Sequence, residues 1–178
     1  MTTDQAKALG IQGKRIVAWV VAGLFVAGFF WSPIGLWTGL ILGAWFIGTQ
    51  RPLRGAAWIL GFTLVPMLIG NWKLFVAHGE FTALGWMVVA SLAVLLPLLA
   101  FRLISPQLTG LSATLPLPLA GVATQMVAAW GLPPWALALC FGMAARNPLL
   151  RPIGDAFGTA AVTFLVYWFA ATVVWVWT

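Results

Sequence analysis

Long apolar runs with almost no charged residues constrain the fold of this chain more than any other feature of its sequence. A helix needs about 20 apolar residues to cross the hydrocarbon layer of a membrane. Runs that approach or reach this length cover residues 16–31, 34–49, 56–72, 81–101, 113–130 and 157–177. Only 7% of the residues are charged and 62% are hydrophobic, which leaves too little polar surface to enclose a water-soluble core. The sequence therefore predicts an all-α, polytopic transmembrane helix bundle that forms one domain over residues 1–178.

The positions of the basic residues predict how the chain is threaded. Short loops on the cytoplasmic side of a membrane are enriched in Lys and Arg. This bias places the N-terminal segment, residues 1–14, in the cytoplasm and returns Arg51, Arg54 and Arg102 to the same side. The formal charge of +6 is dispersed between the apolar runs, so it indicates membrane topology and no nucleic-acid partner. We therefore expect a multi-pass protein of the bacterial inner membrane with a cytoplasmic N-terminus.

The number of spans depends on one short apolar piece, residues 135–145. It has about half the usual spanning length, so it either crosses the membrane or forms a re-entrant element. A crossing gives seven spans, places Arg146 and Arg151 in the cytoplasm and makes the last helix end outside. Without the crossing there are six spans and these two arginines lie outside. We favour seven spans, because seven agrees better with the charge bias.

Proline and glycine indicate where the helices bend and approach one another. Pro66 and Pro97 fall inside predicted spans, where each removes a backbone donor and favours a kink, and Pro116 and Pro118 fall near the start of one. Small residues also repeat at four-residue spacing on one helical face, at Gly35, Gly39 and Gly43. Such a face permits close helix approach, and we favour packing within one chain over a dimer interface.

The chain is unusually rich in tryptophan, with 12 in 178 residues. Many of them fall at predicted span ends, at Trp31, Trp72, Trp130, Trp135, Trp175 and Trp177. Tryptophan is enriched where a membrane meets water, so an interfacial aromatic belt is the favoured interpretation. Stacking against a pigment or a quinone is the alternative.

Few residues are candidates for chemistry or binding. His78 falls in a predicted outer loop near Glu80, and Gln125 is an amide inside a predicted span, where it must be hydrogen-bonded or line a polar cavity. We name Asn71, Trp72, His78, Gln125, Trp130 and Trp135 as candidates for contact with lipid or a partner protein. The sequence predicts no catalytic residue and no metal site, and it includes a single cysteine, Cys140. It specifies no cofactor, and bound phospholipid is compatible with it.

Four segments carry a resemblance to a known family. They are the Trp-Ser-Pro-Ile-Gly-Leu-Trp turn at 31–37, the basic connection and helix from Arg51 to Asn71-Trp72, the Gly-Leu-Pro-Pro-Trp turn at 131–135, and the Gly-Asp-Ala-Phe-Gly entry at 154–158. Together they resemble the membrane domain of bacterial apolipoprotein N-acyltransferases and of their relatives in conjugative-transfer operons. Members of that family also have a nitrilase-like domain outside the membrane with a Glu-Lys-Cys catalytic set. The chain contains no segment similar to that domain.

The resemblance implies an acyltransferase-like membrane scaffold without the catalytic half. We therefore expect a non-catalytic scaffold or accessory subunit that binds membrane lipid, another membrane protein, or both. The first alternative is the membrane half of a split acyltransferase whose soluble half is encoded separately. The second alternative is a cofactor- or pigment-associated subunit of a photosynthetic or respiratory membrane complex.

Overall fold

A computed structural model describes residues 20, 33–70, 79–131 and 150–177, and every element in these ranges is helical. The α-helices are α1 (Pro33–Thr49), α2 (Pro52–Gly70), α3 (Glu80–Ile104), α4 (Pro116–Gly131) and α5 (Arg151–Trp177). Two 3₁₀ turns, Ser105–Gln107 and Gly110–Thr114, connect α3 to α4. The prediction of an all-α protein is confirmed over these ranges, where no strand occurs.

Three of the helical segments are long and apolar enough to cross a membrane: Phe81–Gln107, Gly110–Ala128 and Arg151–Trp177. Two shorter apolar helices, Trp37–Thr49 and Pro52–Val65, accompany them. The predicted first span, residues 16–31, and the short piece at 135–145 lie outside the described residues. The structure thus supports a membrane protein with three candidate spans, and the total of six or seven stays a prediction.

The helices form one bundle in which α3 packs against α1, α2 and α4, and α5 packs against α1 and α4. Fully buried side chains from all five helices meet in a shared core, at Ile47, Ile59, Leu98, Leu117 and Tyr167. A side-chain hydrogen bond joins α5 to the second 3₁₀ turn, Gly110–Thr114, because Trp168 Nε1–H donates to Thr114 Oγ1 at 3.1 Å. These contacts fix the relative directions of the helices.

The C-terminal ends of α1, α3 and α5 lie together. Thr49, Arg102 and Trp175, one from each helix, line the same cavity, and Arg51 and Arg54 follow α1 directly. We call this side of the bundle the arginine end. The start of α5 lies at the opposite end, because Thr159 and Trp175 are about 24 Å apart at 1.5 Å per helical residue.

This arrangement contradicts the predicted side for the end of the last helix. We expected that helix to end on the face opposite Arg51 and Arg54, but its C-terminal turn lies beside them. The physical reason is that α4 leads away from the arginine end, and the part of α5 after its break at Gly158 returns to it. The intervening residues 132–149 lie outside the described ranges.

The described backbone has its main break at a glycine. Gly158, at φ 80° and ψ 172°, interrupts α5. This combination is essentially restricted to glycine, and it lets Gly154 return close to Val162. The predicted proline positions are also helical: Pro97 is inside α3, Pro66 is inside α2, and Pro116 begins α4.

The glycine repeat lies on α1. Gly39 and Gly43 are buried, and α1 contacts α2, α3 and α5. Gly35 belongs to the same helix. The role of this repeat in helix packing stays a prediction.

Candidate lipid-binding cavities

The candidate residues named from the sequence do not converge on one site. Asn71, Trp72, His78 and Trp135 lie outside the described residues. Gln125 and Trp130 are both on α4. Trp130 is 93% exposed near the end of that helix, which suits a side chain at the boundary between lipid and water.

Gln125 lies inside a candidate span, as its sequence position predicted, but the hydrogen bond expected for its side-chain oxygen does not come from the described residues. Its Oε1 atom is buried and accepts no hydrogen bond from the described residues. The neighbouring Thr124 hydroxyl lies within hydrogen-bonding distance of the Ala120 carbonyl at 2.8 Å and of the Ala93 carbonyl on α3 at 3.3 Å. The two side chains therefore do not share a hydrogen bond, and Thr124 links α4 to α3 instead.

An apolar groove of about 500 Å³ lies between α3 and α4. The small side chains of Ala93, Ala123 and Ala128 leave the volume of the groove unfilled. Its other lining residues are Trp86, Val89, Leu92, Leu96, Thr124 and Val127. We call it the α3–α4 groove. Val127 is 70% exposed, so the groove opens on the outer surface of the bundle, where a membrane protein faces acyl chains.

A second cavity, of about 390 Å³, lies at the arginine end, where α1, α3 and α5 meet the two 3₁₀ turns. We call it the arginine-end cavity. Its polar side chains are Thr49, Arg102 and Ser105, and its larger apolar ones are Trp45, Phe101 and Trp175. A basic group beside aromatic and aliphatic walls suits an amphiphilic molecule more than a wholly apolar one.

Two of the three polar side chains in the arginine-end cavity already use their hydroxyl protons. Ser105 Oγ donates to the Ala113 carbonyl at 2.7 Å, a bond that ties the end of α3 to the second 3₁₀ turn. Thr49 Oγ1 donates to the Phe46 carbonyl at 2.8 Å. Arg102 is partly buried, and its Nε atom is buried without a hydrogen-bond partner in the described ranges. Arg102 is therefore the side chain that can donate to a bound anion.

Aromatic side chains are present at both ends of the bundle. Trp175 and Trp177 are 40% and 70% exposed at the arginine end, and Trp130 is exposed at the opposite end. This distribution fits an interfacial aromatic belt.

Sequence reasoning used Arg102 only as a topology marker and missed its cavity. The available signal was a single arginine in the last turn of a long apolar helix, a position where a side chain reaches the interface. The residues that surround it come from helices far apart in the sequence, so the cavity itself has no local sequence pattern. No group of three or more His, Cys, Asp or Glu side chains occurs in the described part of the chain.

Comparisons of the chain with protein-family models, with curated proteins and with solved structures find no match. The resemblance to apolipoprotein N-acyltransferases stays a prediction.

Proposed function

We propose that this chain is a non-catalytic integral membrane scaffold, or an accessory subunit, which binds phospholipid and through it supports another membrane protein. The proposed location is the bacterial inner membrane, with the arginine end and the N-terminus on the cytoplasmic side. The charge of Arg51, Arg54 and Arg102 at one end of the bundle supports this orientation.

The observation that carries the proposal is the α3–α4 groove. Its walls are apolar and it opens between two of the candidate spans. The molecules most concentrated beside such a groove in a membrane are lipid acyl chains. An acyl chain in the groove would restore the dispersion contacts that the small side chains of its floor leave unmade. We therefore assign the groove to an acyl chain.

The split-acyltransferase alternative loses one of its supports. In the resembled family the catalytic domain lies outside the membrane, and we expected the last helix to end there. Because α5 ends at the arginine end, positive-inside threading places Trp177 on the cytoplasmic side. A separate soluble subunit would then have to bind through the opposite face of the bundle.

The test of the proposal is co-purification from membranes in a mild nonionic detergent, followed by native mass spectrometry. We expect retained phospholipid or a bound second polypeptide. Ala123→Trp should fill the α3–α4 groove and reduce the retained lipid. Leu119→Trp is the matched control, because Leu119 is 57% exposed on the same helix and does not line the groove.

Two results would contradict the proposal. A monomer that retains neither lipid nor a second polypeptide would remove both binding functions. Equal lipid loss from Ala123→Trp and Leu119→Trp would remove the assignment to the groove. A visible absorption spectrum of the same sample tests the pigment alternative, since haem, chlorin or carotenoid would colour it.

A further inference from the structure

Arg102 places a positive charge at the membrane boundary without a nearby acidic partner in the described ranges. The acidic residues there are Glu80 and Asp155. Glu80 begins α3, so its α-carbon lies about 33 Å from that of Arg102 at 1.5 Å per helical residue. Asp155 lies before the break at Gly158, and its Oδ2 is 3.8 Å from Arg151 Nε. Neither acidic residue neutralises Arg102.

The length of the candidate span brings the Arg102 side chain within reach of the lipid phosphates. The candidate span Phe81–Gln107 has 27 residues and is therefore about 40 Å long, against about 30 Å for the hydrocarbon layer. Arg102 lies in the last turn of α3, so with the excess length shared equally between the two ends its α-carbon lies about 3 Å inside the hydrocarbon boundary, and its long side chain extends past that boundary. Its guanidinium can therefore reach the head-group layer, while the apolar part of the cavity extends toward the acyl chains.

The arginine-end cavity offers a basic side chain to a lipid head group and an apolar wall to the acyl chain of the same lipid. Arginine presents its donors as a planar fork that matches two oxygens of a phosphate. Leu108, Ala113 and Val174 provide an aliphatic wall in the same cavity. Arg51 and Arg54 are exposed at the same end, and they add a positive field that attracts anionic lipid.

We infer that the arginine-end cavity is a binding site for one anionic phospholipid, whose phosphate accepts hydrogen bonds from Arg102 and whose glycerol and upper acyl chain lie against the cavity wall. This inference rests on the proposed function, because it specifies the class of lipid and adds a second, charged site beside the α3–α4 groove. Basic pockets between membrane helices are known to select anionic head groups.

The test compares phosphatidylglycerol with phosphatidylcholine that has identical acyl chains. The full chain in nonionic detergent is titrated with each lipid, and the bound lipid is counted by native mass spectrometry. Both lipids present a phosphate, but the choline ammonium of phosphatidylcholine cancels its head-group charge and is repelled by Arg102. Wild-type protein should therefore bind phosphatidylglycerol about tenfold more tightly. Arg102→Gln should abolish this preference.

Arg54→Gln is the matched control. It removes the same charge at the same end of the bundle, but Arg54 is exposed and does not line the cavity. It should keep most of the preference for phosphatidylglycerol. An equal loss of preference in the two variants would assign the effect to surface charge and overturn the site.

A second measurement uses wild-type protein alone, in case Arg102→Gln does not fold. Short-chain phosphatidylglycerol should raise the thermal unfolding temperature more than short-chain phosphatidylcholine does, because a ligand of the folded state stabilises it. Glycerol phosphate should have little effect. A stabilisation by glycerol phosphate equal to that by the lipid would identify a free-phosphate site and overturn the inference.

The outcomes separate this inference from the proposed function. If wild-type protein retains both lipids equally, the result supports the proposed lipid binding and contradicts the site for an anionic lipid. If it retains neither lipid, the result contradicts both the proposed lipid binding and the anionic-lipid site.

Discussion

The close approach of Gly121 on α4 to Tyr167 on α5 gives a sharp test of the described packing. An added Cβ at Gly121 would lie 2.7 Å from Tyr167 Cδ2 and 2.9 Å from Tyr167 Cε2. Carbon atoms in favourable contact are about 3.5–4.0 Å apart, so Gly121→Ala forces the two helices or the ring to move by about 1 Å. Tyr167 is only 2% exposed, so its ring has no open space into which to turn.

The expected cost follows from two opposing effects of Gly121→Ala. Inserting a methyl group into a well-packed core costs about 1–3 kcal/mol. Alanine in place of glycine inside a helix gains about 1 kcal/mol. Gly85→Ala in α3 is the matched control, because its added Cβ meets nothing within 4 Å and keeps the helical gain. We expect Gly121→Ala to be less stable than Gly85→Ala by about 1–3 kcal/mol.

The assay is reversible unfolding in mixed micelles, with sodium dodecyl sulfate as denaturant and tryptophan fluorescence as the signal. A double-mutant cycle with Tyr167→Ala isolates the steric contact, because that background removes the ring. The cost of Gly121→Ala should then fall by at least about 1 kcal/mol. Equal stability of Gly121→Ala and Gly85→Ala, or an unchanged cost in the Tyr167→Ala background, would refute the described packing of α4 on α5.

Three further predictions follow from the backbone, the hydrogen bonds and the helix directions. Gly158→Ala should lower the free energy of unfolding by about 1–3 kcal/mol, because φ 80° with ψ 172° suits only glycine; a stability gain in the unfolding assay would argue against the break in α5. Thr114→Val should cost about 1–2 kcal/mol more than Thr114→Ser, since valine cannot accept the 3.1 Å indole hydrogen bond from α5; the same assay checks this, and equal stability would count against the bond. In a cysteine-free background, cysteines at Leu53 and Trp177 should react with an impermeant thiol reagent from the same side of the membrane, and a cysteine at Phe157 should react from the other; opposite labelling of the first two would overturn the shared arginine end.

Local sequence determined the class of the protein and the approximate positions of its helices. Predicted runs at 34–49, 56–72, 81–101, 113–130 and 157–177 correspond to Pro33–Thr49, Pro52–Gly70, Glu80–Ile104, Pro116–Gly131 and Arg151–Trp177. The agreement has a physical cause. In hydrocarbon each backbone polar group must be satisfied within its own segment, so a long apolar run forms a helix with little dependence on its neighbours.

The candidate cavities and the side on which α5 ends were decided only by tertiary structure. The arginine-end cavity combines Thr49, Arg102 and Trp175 from three separate helices, and no local pattern specifies that these residues meet. Their meeting depends on which helix faces fit together, as at Gly121 against Tyr167. Apolar composition makes the free energy of transferring each helix into lipid favourable. Packing between helices in lipid depends instead on their shapes and on small residues. Hydropathy therefore predicted the membrane-spanning class, and only the packed bundle brought an arginine and its cavity together.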